Sequence, residues 1–171
     1  MDMVEGYRGV FGAFPYAFRQ SRSLLFRSYV LVGALSALAV TVLFGAGLVV
    51  LIARTAAVEG GSLTLSRAFY TVVGLFVVAP LVAPVLFVAR RHRRREGTDT
   101  RYDLALSLAG YLFIASLYVG LVITVPADQQ TVPPGAVAPV VEVLYALPQV
   151  AGVVPPLIAS AGILLAHRLL R

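Results

Sequence analysis

The sequence predicts an all-α integral membrane protein. It has four transmembrane helices, both termini cytoplasmic, an N-terminal interfacial amphipathic segment and a short outer helix before the last span. Three observations carry that prediction. The 171 residues are 59% hydrophobic and 13% charged, with a mean hydropathy of +0.88, whereas a soluble domain carries about 25% charged residues. The apolar residues are gathered into four stretches, each close to the ~20 residues that a helix needs to cross hydrocarbon. And of the 14 basic residues, all but Arg54 and Arg67 fall in segments that alternate correctly for four spans with both ends inside.

The first apolar run extends from about residue 29 to 53, between Arg27 and Arg54, and is long enough to span with some tilt. A second run, about 68 to 89, lies between Arg67 and Arg90. It contains Pro80 and Pro84, which neighbouring helices tolerate but which predict a kink. The third, 104 to 125, starts after Asp103, whose charge suits the positive end of the helix dipole, and stops at Pro126. As one helix, residues 137–170 would measure about 51 Å at 1.5 Å per residue, against a hydrocarbon core of about 30 Å. Pro148 and the Pro155–Pro156 pair divide it into a short segment over 137–147 and a span over about 149–167. In the short segment Val137, Val140, Val141, Leu144 and Leu147 share one face and Glu142 lies opposite, as in a helix resting on the outer membrane surface.

Residues 1–28 form the longest piece outside these spans. Such a piece is too short to build a core of its own, so no separate soluble catalytic domain is expected and residues 1–171 read as a single membrane domain. Within it Tyr7, Phe11, Phe14, Phe18, Leu25 and Tyr29 fall within about 60° of one another at 100° per residue, with Arg8, Arg19 and Arg22 nearby. That pattern fits an interfacial anchor, aromatics at headgroup level and arginines reaching phosphate. Gly6, Gly9, Gly12 and Pro15 weaken it and predict a helix formed only on the membrane or two pieces meeting at Pro15. A cleaved signal peptide ending near Thr55-Ala56-Ala57 is the competing reading, and both the lead and the apolar run are too long for one.

The most distinctive motif is Arg90-Arg91-His92-Arg93-Arg94-Arg95, read as a cytoplasmic loop running to residue 103, with Asp99 or Thr100 capping the next helix. Basic residues there set topology and each gain up to ~1 kcal/mol from an anionic leaflet. Arg90, Arg91, Arg93, Arg94 and Arg95 are therefore the candidate contacts for anionic lipid or an acidic partner. Nucleic acid is not expected, since no aromatic stacking residue interleaves the run. All basic residues are Arg, and Lys, Asn and Trp are missing, which a GC-rich genome explains; the choice of Arg over Lys then carries little chemical information. Small residues four apart, such as Gly33 with Ala37, Ser116 with Gly120 and Gly162 with Ala166, suit close helix packing within the bundle or at a homo-oligomer seam.

The chain has no Cys and two His, which removes disulfides, thiolate metal sites and thiol redox chemistry and leaves no cofactor or metal expected. No HExxH, GxSxG or phosphate-binding glycine loop occurs, so no enzyme is expected. The spans lack the buried acids and bases that mark coupled transport. Glu142 with Gln149 is the one candidate ion or proton site, and only if the short outer helix re-enters the bundle. The sequence thus points to a non-catalytic accessory or scaffold protein of a prokaryotic cell membrane, contacting anionic lipid or a membrane-protein partner. The alternative is a subunit of an oligomeric transporter or channel.

Overall fold

The computed structural model describes residues 9–56, 61–94 and 100–170. Those residues form α1 (Gly9–Gln20), α2 (Leu24–Thr55), α3 (Gly61–Arg93), α4 (Thr100–Ile123), α5 (Ala138–Tyr145) and α6 (Val154–Leu169), with single 3-10 turns at Ala127–Gln129 and Gln149–Val153. No strand occurs among them. Four helices are long and apolar enough to cross a membrane: Leu24–Thr55, Thr64–Arg93, Thr100–Ile123 and Gln149–Leu169.

Several boundaries differ from the sequence expectation, each for a local reason. α2 begins five residues before the apolar run because Ser23 caps it, its Oγ accepting the Phe26 N–H at 3.2 Å. The apolar pattern reports burial in lipid, whereas the helix starts where its first N–H groups find an acceptor. At the other end of the hairpin α3 continues through Arg93, so Arg90 to Arg93 are its last turn and not a loop; three arginines there complement the negative end of its dipole. α1 is one helix with Pro15 inside it. The aromatic stripe from Tyr7 to Tyr29, which assumes an unbroken helix, is divided by an elbow at Ser21–Ser23. Leu25 and Tyr29 therefore belong to α2, and Tyr7 lies outside the described residues. In the fourth region Pro155 and Pro156 occupy the first turn of α6, where no intrahelical N–H is needed.

The bundle is held from its centre by Tyr29. Its ring is fully buried, and its hydroxyl donates to the Leu81 carbonyl of α3 at 2.7 Å. The ring meets Tyr111 of α4 edge-on, at 5.3 Å between centroids and 78° between planes. It lies over Gly110, where any side chain would collide with the ring. One residue thereby sets the spacing of three helices. Around it the core gathers Phe26 and Ala37 from α2, Leu81, Val85 and Val88 from α3, Leu106 and Phe113 from α4 and Ile163 from α6.

Farther from the arginine-rich end the helices pair off. α2 and α3 meet through Phe44 and Tyr70, 5.1 Å between centroids, and Arg67 closes their hairpin by donating to the Thr55 carbonyl at 3.0 Å and its hydroxyl at 2.6 Å. That places a cation on the last carbonyls of α2, where the helix leaves acceptors unpaired. α4 meets the turn before α6 at Gly120 and Gly152. A Cβ on either glycine would run into the other's carbonyl oxygen, so the two backbones touch directly. By contrast Gly45 and Gly162 face open space.

Gly120→Ala is expected to lower the stability of the detergent-solubilised protein by about 1–3 kcal/mol, because the obstructing atom is backbone and cannot rotate away. Gly45→Ala should be neutral or slightly stabilising. Thermal unfolding followed by circular dichroism checks both, and equal melting temperatures for the two variants would contradict the contact.

Candidate functional site

The chemistry-bearing side chains meet at the end of the bundle where α1 ends, α2 begins, α3 ends, α4 begins and α6 ends. The hub is Asp103, in the first turn of α4 and 2% exposed. Its Oδ2 accepts the Ser21 hydroxyl at 2.5 Å, and His92 Nε2 lies 3.1 Å from Oδ2 and 3.3 Å from Oδ1. The two side chains of this His–Asp pair are 5% and 3% exposed. Ser21 Oγ also accepts the Ser23 N–H at 3.2 Å, which shapes the elbow. A single carboxylate thus joins the elbow, the last turn of α3 and the first turn of α4.

Beside it, the Tyr102 hydroxyl is 2.6 Å from His167 Nδ1, and the His167 ring stacks on Phe87 with centroids 4.1 Å apart and planes at 11°. The guanidinium of Arg91 lies over the Tyr102 ring at 4.2 Å and donates to the Leu170 carbonyl at 2.6 Å, fastening the end of α6. Its Nε is buried with no hydrogen-bond partner, a cost that the ring contact offsets in part. On the elbow side Arg27 Nε donates to the Phe18 carbonyl at 3.1 Å, and its guanidinium sits 4.8 Å from the Phe18 ring centroid.

Serine, histidine and aspartate together invite comparison with a nucleophilic triad, and the connectivity does not match. In a triad the histidine bridges, taking the serine proton on one nitrogen and holding the acid with the other. Here the acid bridges. Ser21 gives its hydrogen bond to the carboxylate and His92 approaches that same group, so no imidazole stands between the serine and the acid. The arrangement holds helices together and couples them to one carboxylate–imidazole pair. No group of three or more His, Cys, Asp or Glu side chains among the described residues is placed to hold a metal ion.

The candidate lipid contacts divide. Arg90, Arg93 and Arg94 are exposed on the last turn of α3, Arg91 is committed to Tyr102 and Leu170, and Arg95 lies outside the described residues. Of the candidate anchor residues, Phe11 is 93% exposed, Arg19 and Arg22 are exposed, and Phe14 and Phe18 are half-buried against the core. The face of α1 that packs inward is carried by Ala13 and Ala17, both fully buried. Glu142 and Gln149 are exposed, so the structure does not bring them together around an enclosed site. In α5 the half-buried residues are Ala138, Val141, Leu144 and Tyr145, while Val140 and Val143 point away at 62% and 64% exposure. The expected apolar face is therefore split, because the contact with α4 takes only part of it.

A family model covers residues 3–171 of the chain. The chain belongs to the DUF8056 family, described as a domain of unknown function. No curated protein and no solved structure matches it.

Reading residue by residue misses Ser21, His92, Tyr102, Asp103 and His167 as a group. Ser21 and Asp103 are 82 positions apart, Tyr102 and His167 65. The one usable signal is that both histidines and the acid nearest a span start all fall at span ends assigned to the same side.

Asp103→Ala is expected to destabilise the protein by roughly 2–4 kcal/mol, since it strands Ser21 and His92 in a buried place. Glu142→Gln should change stability by less than about 0.5 kcal/mol, as exposed substitutions do. Thermal melts of the two variants side by side test the contrast; a large loss for Glu142→Gln would refute its exposed placement.

Proposed function

We propose that the protein is a multi-pass cell-membrane protein with a non-catalytic accessory or scaffold role, and that its arginine-rich end faces the cytoplasm and holds anionic lipid headgroups. The observation that carries this reading is the distribution of charge at that end. Arg19, Arg22, Arg90, Arg93, Arg94, Arg101 and Arg168 are exposed there, while among the described residues the one acid at that end, Asp103, is buried. Among the described residues the surface at that end is therefore cationic.

Each arginine near an anionic leaflet contributes up to ~1 kcal/mol, so several together hold lipid well above the level of one contact. Phe11 and Val10, exposed on α1, add apolar contact at the headgroup boundary in the manner of an interfacial helix. Retention of arginine on the cytoplasmic side supports the orientation, because translocating basic residues in short loops is disfavoured.

Replacing Arg90, Arg93 and Arg94 together with Gln is expected to weaken binding of phosphatidylglycerol by roughly tenfold, read by native mass spectrometry in mild detergent. Phosphatidylcholine binding should stay unchanged, and the difference should shrink as salt rises. If variant and parent bind phosphatidylglycerol equally at low salt, the lipid-holding role is wrong and these arginines set topology alone. The orientation has its own test: Ser62→Cys should react with an impermeant maleimide on intact cells and Thr98→Cys only after lysis. The reverse pattern would overturn it.

A further inference from the structure

The α2–α3 hairpin outruns the rest of the bundle. At 1.5 Å per residue its helices, of 32 and 33 residues, measure about 48 and 50 Å, against about 36 Å for the 24 residues of α4. All three share the arginine-rich end, so the hairpin projects by about 12 Å at the other. The last buried apolar side chains are Ala37 on α2 and Leu81 on α3. Past them the hairpin is an arm that packs mainly on itself, through Phe44 on Tyr70 and Arg67 on Thr55.

One face of this arm is apolar and ends in a cation. Leu43, Val49 and Val50 are 70%, 67% and 50% exposed, and exposed Arg54 follows one turn after Val50. Counted from Arg27, Val50 lies about 35 Å along α2, at or past the far edge of a hydrocarbon core of about 30 Å. The complementary face belongs to α5, which lies in the connection between α4 and α6 and packs on α4. Its outward sector runs from Glu142 through Val143 to Leu147 and Val140, all exposed, so here an apolar helix face is edged by an acid. Among the described residues no extended contact joins the arm to α5.

We propose that the protein self-associates head to tail, with the arm of one copy resting on α5 of the next and Arg54 facing Glu142. Apolar faces that stand at headgroup depth gain by leaving water, and the hydrocarbon does not reach them. Within one copy the two faces do not meet. A second copy in the same membrane presents α5 at the same end, so motion in the plane of the bilayer brings the faces together. The opposite charges at their edges fix the register more than they supply affinity, because an exposed pair contributes little. A patch that fits a different patch makes a heterologous contact, which builds rings or chains and not two-fold dimers. The inference stands apart from lipid binding at the arginine-rich end.

The chain has no native Cys, so cross-links can be placed freely. Differently tagged full-length copies, one carrying Val50→Cys and the other Val143→Cys, are co-expressed and treated in native membranes with a short bis-maleimide. The mixed pair should cross-link in higher yield than either variant with itself. Arg54→Glu in the Val50→Cys copy, or Glu142→Arg in the Val143→Cys copy, sets like charges together and should cut the mixed yield by roughly two- to fivefold, the scale of an exposed charge pair. Both changes together bring back opposite charges and should restore the yield. Absence of the mixed product would overturn the proposal and leave lipid over both faces. A Val50→Cys product with itself that exceeds the mixed one would overturn it in favour of a two-fold α2 contact. Failure of the paired reversal to restore the yield would overturn it as well, since Arg54 and Glu142 would not then face each other.

Discussion

The buried hydrogen bond from Tyr29 to the Leu81 carbonyl is the contact on which the remaining packing depends. In a bilayer, apolar side chains gain little by leaving lipid for protein, so helices associate through close fit and polar contacts. Tyr29 supplies both. Its hydroxyl reaches into the proline-bearing stretch of α3, between Pro80 and Pro84, where two backbone N–H groups are missing and the helix is least self-sufficient. Its ring fills the space that Gly110 leaves on α4, and Tyr111 borders it edge-on. Once these three helices are spaced, α6 closes on α4 along its length, with Ile163 in the shared core and Gly152 against Gly120.

With the helices in register, their ends at one side converge, and that convergence produces the polar cluster. Asp103 has somewhere to be buried only because the elbow and the last turn of α3 arrive at the start of α4 together. The same convergence fastens the end of α6 through Arg91, Tyr102 and His167. The arginines consequently split into two kinds. Arg27 and Arg91 are used on aromatic rings and carbonyl groups inside the protein, while their neighbours in sequence remain on its surface. A run of like charges that looks uniform as text is thus heterogeneous in role.

This division also bears on what the molecule is built to do. The end rich in arginine is internally braced, with a buried acid, two engaged histidines and a carbonyl-bound guanidinium. The opposite end is tied mainly by backbone contact and by Arg67 on Thr55. Under the proposed lipid-holding role such bracing would matter, since exposed arginines on a rigid helix end lose less freedom when a headgroup binds.

The number of membrane-crossing helices was legible in the sequence because it depends on local composition: about twenty apolar residues in succession suffice, whatever their neighbours do. The break at Pro148 was legible for the same reason, as a missing N–H acts within its own turn, whereas Pro155 and Pro156 start α6 instead of breaking it. Helix ends were less so, since Ser23 and the Arg90–Arg93 turn extend helices beyond the apolar runs through capping and dipole effects that hydropathy does not register. The burial of Asp103, the withdrawal of Arg91 from the surface and the central place of Tyr29 were decided by tertiary structure alone. Each depends on partners between 11 and 82 positions away, and most of those distances are closed only when whole helices pack, so no local window of sequence contains the information.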